Sequence, residues 1–185
     1  MSQTKNRVQW CLNKAKRELE QGKDHRGLVL RSPNQKEAFA HLDKANHYLR
    51  ATVYNKEGGF SDVSASTVFY AMYPCLLAIA AKFGYESRNQ ECTFALIASP
   101  IEDKKISFDK ELLDKIALLD VESSKERTSI KIREQYQYGT NTTMEEKTYE
   151  EMYSLAQEVI ENTKSSIESA IWPILLIAAL LNRIG

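Results

Sequence analysis

The densest run of chemistry-bearing side chains is Ile130 to Thr140, IKIREQYQYGT, where one arginine stands beside two tyrosines ahead of a glycine. Arg133 and Tyr136 are three apart and share a helix face, and Arg133 and Gln137 are four apart, within side-chain hydrogen-bonding reach. Tyr138 is rotated by about 140° from Arg133 on an ideal helix. Those two therefore converge only where the helix ends locally or where two such helices meet across a symmetric interface. Such a pairing would give a cleft of two guanidinium groups and four phenols. Its chemistry suits phosphate, because arginine makes bidentate contacts to anionic oxygens while tyrosine donates to them or stacks on bases. The alternative is an arginine held by a nearby glutamate, with two half-buried tyrosines beside it.

Other residue types offer less. GxxxxGK[ST], GxGxxG after a strand, HExxH and GxSxG are all absent, which leaves ordinary nucleotide hydrolysis and hydrolase chemistry without support. Glu145-Glu146 and Glu150-Glu151 are adjacent pairs pointing about 100° apart on a helix, so they read as a solvated face and as first-turn charges that favour the helix. His41 and His47 are six apart, about 240° round a helix, and cannot share a metal as an i, i+4 pair can, so no metal site and no cofactor is expected. Cys75 falls in the most apolar stretch, where a thiol is inert. The three cysteines, Cys11, Cys75 and Cys92, are an odd number at wide spacing without a CxxC pair, and the polar N-terminus carries no secretory leader. That usage implies a reduced cytosol.

Composition narrows the partners and the fold. The formal net charge is 0, with 25 Lys+Arg against 25 Asp+Glu, so contact with nucleic acid must come from a local patch rather than from an overall field. The 185 residues, 43% hydrophobic, fit a single domain with one core. Only 7 Gly and 4 Pro are present, too few for the turns of a sandwich or barrel. The apolar run Ala170 to Leu181 is shorter than the roughly 20 residues that cross a bilayer. It reads as a packing or subunit-contact segment with Trp172 as an anchor, and no membrane association is expected.

Periodicity then supplies helices to carry these residues. Val8, Cys11, Leu12, Ala15 and Leu19 mark a first amphipathic helix over 3–21. Ser32, Pro33 and Gln35 read as a cap, a first-turn proline and a capping-box partner for a helix to about Lys56, with Ala38, Leu42, Ala45, Leu49 and Val53 inward, stopped by Gly58-Gly59. From Ser61 to Phe83 apolar residues lie on nearly every side (Val68, Phe69, Met72, Cys75, Leu76, Leu77, Ile79, Ala80), which marks the central helix, with a kink or a lost bond expected at Pro74. A short helix from Gln90 to Ala98 stops before Pro100. Ser107 is expected to cap 108–119 with Leu112, Leu113, Ile116 and Leu119 inward, and Ser123 with Glu126 to open a helix through 124–138. Thr143 with Glu146 opens a long helix over 145–170, with Tyr149, Met152, Ala156, Val159, Ile160, Thr163 and Ile167 inward. No strand alternation and no repeat appears. The expected fold is all-α: an antiparallel four-helix core within 35–170, an N-terminal helix and loop over 1–34, short peripheral helices and an apolar segment over 171–185.

Against this background, Asp62 to Gly84, DVSASTVFYAMYPCLLAIAAKFG, resembles the signature helix of the HEPN family (higher eukaryotes and prokaryotes nucleotide-binding domains). Phe69, Tyr70, Ala71, Met72 and Tyr73, then Leu76-Leu77 and Gly84, carry the match. Arg133-Glu-Gln-Tyr-Gln137-Tyr138 is similar to the family's second signature, an arginine followed by an Asp-Tyr pair, with Gln137 in the aspartate's place. The likeness runs from about Ala38 to Ile167. It implies a four-helix core, homodimers, and association with a minimal nucleotidyltransferase antitoxin in toxin-antitoxin pairs. Many members are metal-independent ribonucleases with a histidine a short spacer after the arginine. Here Arg133 matches, Tyr138 or Gly139 stands in the histidine's place, and no histidine follows His47. The resemblance therefore implies a dimeric binding module in which Arg133, Tyr136, Gln137 and Tyr138 engage nucleotide, RNA or the nucleotidyltransferase. The alternative is an endoribonuclease toxin with Arg133 and Tyr138 as catalytic candidates, although a phenol with an ordinary pKa near 10 is a poor base at neutral pH.

Overall fold

The computed structural model of the chain describes residues 3–103, 106, 108–116 and 129–168. The fold is all-α. Among these residues seven helices and one short ribbon follow in the order α1 (Gln3–Glu20), β1 (Leu28–Leu30), α2 (Gln35–Glu57), α3 (Ser61–Lys82), β2 (Tyr85–Ser87), α4 (Gln90–Glu102), α5 (Lys110–Ile116), α6 (Ser129–Tyr138) and α7 (Glu146–Glu168). Ser107, Leu119, Ser123 and Glu126, and the apolar segment with Trp172, lie outside the described residues.

α3 holds the centre, packing against α2, α4, α6, α7 and β2. It is long and apolar enough to cross a membrane by composition, yet most of that apolar surface is buried inside the protein. Phe69, Met72, Leu76 and Ile79 are all but fully buried, each withdrawing enough apolar surface to contribute about 1.5–3 kcal/mol. Of the adjacent pair Leu76 and Leu77, Leu76 is fully buried and Leu77 only half-buried. The helix runs unbroken through Pro74. That proline has no N–H for the Tyr70 carbonyl one turn back, so one bond of the helical ladder is missing there. The α7 stripe is inward at all seven expected positions, as are Ala38, Leu42 and Ala45 of α2.

Helix starts depart from the sequence expectation at two places. Arg31 N–H bonds Gly84 O (2.8 Å) and Asn34 N–H bonds Ala81 O (2.9 Å), which ties residues 31–34 across the end of α3 and delays α2 until the tie is complete. The cap is consequently Asn34, whose side-chain oxygen accepts from Glu37 N–H at 3.0 Å, and not Ser32 with Gln35. Gly84 (φ 76°) makes the turn out of α3, and a Cβ there would meet Arg31 O at 2.6 Å, so the close approach requires glycine. α5 likewise starts at Lys110, with the Asp109 carboxylate accepting from Glu111 N–H at 2.8 Å. α4 carries on past Pro100 to Glu102, closed by Asp103 N–H on Ser99 O at 3.1 Å.

The expectation of no strand is corrected by a two-stranded antiparallel ribbon pairing Leu28 with Ser87 and Leu30 with Tyr85. Three residues per strand leave too little alternation to read in one dimension. The ribbon closes a second, smaller core of Cys11, Leu28, Ala80, Cys92 and Leu96, which seats α1 against α4 and β1. There Cys11 and Cys92, 81 residues apart in sequence, form a disulfide with Cα atoms 5.9 Å apart. This pairing departs from the three unlinked thiols that spacing implied. Gly27 passes so close to α1 that a Cβ would meet Cys11 O at 2.4 Å.

Candidate ligand-binding site on α3 and α6

α6 lays its arginine on the central helix. The Arg133 guanidinium carbon sits 4.5 Å from the centroid of the Phe69 ring, a cation–π contact between the two segments that carry the sequence signatures. Only 14% of the Arg133 side chain is exposed, and among the described residues its ion-pair neighbour is the adjacent Glu134 at 3.9 Å. Its Nε is buried without a hydrogen-bond partner. The guanidinium therefore lies over an aromatic ring with its inner donor unsatisfied, and the small exposed part of the side chain is what an anionic oxygen could reach.

The other residues expected in the cluster separate. Tyr136 shares the inward face with Arg133, as the three-residue spacing predicts, but goes further in and becomes part of the core. Gln137 is exposed and makes no side-chain bond to Arg133. Tyr138 is 77% exposed at the end of α6. Within one chain the structure thus assembles Arg133 with Phe69 rather than with Gln137 and Tyr138.

A set of rings that single-sequence reading missed surrounds this contact. Tyr70 meets Tyr48 of α2 with centroids 5.7 Å apart and Phe69 with centroids 5.8 Å apart; His47 meets Tyr48 at 6.0 Å. Phe69 also stacks on Tyr73, 14° from parallel. Tyr73 hydroxyl and Thr93 hydroxyl lie 3.0 Å apart, and Thr93 reaches Ser87 at 2.7 Å; burial raises the Tyr73 phenol above its ordinary value, which keeps it a neutral hydrogen-bonding group. Lys44 sits over Tyr48 at 5.9 Å. Tyr48 belongs to one helix and Tyr70 to the next, so helical periodicity within either could not show that they touch.

No protein-family model matches this chain, and no curated protein matches it.

Two further polar clusters are structural in character. At the ribbon, Glu86 receives Arg31 (Nη2 at 2.8 Å), His25 (3.0 Å) and Arg88 (2.8 Å). Burial alone would push its carboxyl up, but the hydrogen bonds from Arg31 and His25 and the charges of Arg31 and Arg88 outweigh it and hold the group at about 2. His25, inside a stretch that reads as plain polar loop, is buried by this arrangement. Between α2 and α7, Lys56 lies 4.0 Å from the Tyr149 centroid and pairs with Glu146 and Glu150. Cys75 is fully buried, and burial drives its thiol up to about 12, which rules it out as a nucleophile near neutral pH. His41 is pushed below its ordinary value, chiefly by burial against a smaller opposing effect of Glu37. Among the described residues no three His, Cys, Asp or Glu side chains gather in a way that would hold a metal ion.

Proposed function

We propose that this chain is an HEPN-like binding module that engages nucleotide or RNA through Arg133, acts as a homodimer, and binds rather than cleaves its ligand. Association with a nucleotidyltransferase antitoxin belongs to the same reading. The observation that carries it is the Arg133 guanidinium on Phe69 with its Nε unpartnered. Glu134 stands at 3.9 Å, beyond hydrogen-bond distance, so a phosphate reaching the exposed edge of the guanidinium would supply a closer acceptor, and charge-assisted bonds of that kind are worth about 1.5–3 kcal/mol. Tyr138 stands exposed at the helix end with no bond to Arg133, which favours binding over a two-residue proton relay within one chain.

The test is titration of fluorescent nucleotide and RNA oligomers against wild type and two variants, with circular dichroism on each. Arg133→Ala is expected to weaken phosphate-dependent binding roughly 10- to 100-fold with its helical spectrum intact, and Tyr138→Phe to keep most of the affinity. Unfolding of Arg133→Ala would assign the residue to the core instead. RNA cleavage by wild type, abolished in Tyr138→Phe, would establish the ribonuclease reading. Light scattering is expected to give a dimer at tens of micromolar.

A further inference from the structure

We infer that Tyr70, flanked by Tyr48 and Phe69, is a base-stacking platform, and that the ligand of this surface is single-stranded nucleic acid rather than a duplex. The inference rests on the Arg133 reading above and assigns the other half of the ligand. Tyr70 is 40% exposed although it sits in the middle of the most apolar helix of the chain. Its ring is not loose: Tyr48 braces it from α2 at 5.7 Å and Phe69 from the preceding position at 5.8 Å. An aromatic ring kept at the surface and held in orientation by two others presents a face of defined direction at small entropic cost.

The charge around that row of rings selects the occupant. Lys44 lies over Tyr48 at one end and Arg133 over Phe69 at the other, so cations bracket the rings on both sides. A ligand matching this pattern carries flat π-faces with anionic groups before and after them, which describes a strand of nucleotides. An apolar helix face from a protein partner would leave Lys44 with no anion to meet and Arg133 with only the long contact to Glu134. Bases in a duplex are already stacked on one another and hide their faces, so only unpaired bases can lie on Tyr70. Stacking reads little sequence, so the surface accepts any base, with phosphates fixed by Lys44 and Arg133.

Fluorescence anisotropy of a short labelled uridine-rich RNA strand, and of the matching RNA duplex, against the full chain decides the matter. Tyr70→Ala is expected to weaken single-strand binding roughly 5- to 100-fold while the slope of log affinity against log salt stays at the wild-type value, because no charge is removed. Tyr70→Phe should restore binding, since the π-face is retained. Arg133→Ala should instead flatten the salt slope by about one. Unchanged strand binding by Tyr70→Ala, with loss in Arg133→Ala, would overturn the platform and leave the Arg133 reading standing. Equal affinity of wild type for duplex and strand would also overturn the platform. Failure of wild type to bind strand, duplex or nucleotide would overturn both.

Discussion

Opening the Cys11–Cys92 disulfide should cost this protein several kcal/mol. The bond closes a loop spanning 81 residues in sequence, and in the chain-entropy account a loop of that length restricts the unfolded chain by about 4.5 kcal/mol at room temperature. The disulfide sits at the centre of the small core that seats α1, where Leu28, Ala80 and Leu96 pack with Val8 and Leu12. The buried residues of α1 are Cys11 and Ala15, and the side-chain pairs it makes with α4 (Arg7 with Glu91, Thr4 with Glu102) are exposed, as is the tie from Lys5 to Asp103 just past that helix, worth at most about 1 kcal/mol each. The assay is urea unfolding followed by circular dichroism, oxidised against reduced with a phosphine. With slopes of about 1–3 kcal/mol per molar urea, the reduced midpoint should fall by roughly 2 M. Thiol titration checks the premise: none reactive in the native protein, one after unfolding without reductant, which is Cys75, and three after reduction. Both linked sulfurs belong to residues at 0% exposure, so an external thiol reaches them only once α1 lifts. A reduced protein losing under about 1 kcal/mol, or three thiols titrating before reduction, would refute this reasoning.

Two further outcomes test the core and the ribbon. Leu76→Ala, at a fully buried site, should cost about 2–5 kcal/mol in chemical unfolding, whereas Leu77→Ala, half-buried, should cost about 1 kcal/mol; the reverse order would mean that α3 is rotated. The Glu86 carboxyl, held at about 2 against an ordinary 4.5, contributes stability that is complete above about pH 4.5 and drains away as pH falls through 2, by about 1–2 kcal/mol after solvent screening. Glu86→Gln should flatten the stability curve in that window, and an unchanged acid limb would exclude the cluster.

Helical stripes were legible because each repeats within its own element. Tyr149 to Ile167 recur at three- and four-residue steps, and every one of those positions can be assigned before any partner is known. The same logic put Arg133 and Tyr136 on one face. It fails where the determining contact is remote in sequence: Cys11 with Cys92, His25 with Glu86, Tyr48 with Tyr70. It also fails on a helix that is apolar all round, since α3 has no polar face to fix its rotation, and Leu76 and Leu77 are indistinguishable by composition. The start of α2 moved from Ser32 to Asn34 because backbone bonds to Gly84 and Ala81, supplied by a different helix end, hold the intervening residues extended.

Arg133 is the position where local rules and packing disagree most, and the energetics say why that matters. Burying an N–H without an acceptor costs about 1–3 kcal/mol. The contact with Phe69 returns about 0.5–2 kcal/mol, and the pairing with Glu134 at 3.9 Å adds little beside a solvent-exposed carboxylate. These terms come near to cancelling, so the guanidinium contributes almost nothing to the fold beyond the packing of its stem, and a methionine would fill the same space without the unmet donor. An arginine held at a net cost near zero is what the proposed ligand role would require, since an anion at its exposed edge would then add to binding without having been needed for folding. The same arithmetic is why Arg133→Ala is expected to separate binding from folding, whereas truncating Tyr136, one turn further along α6 and buried in the core, could not.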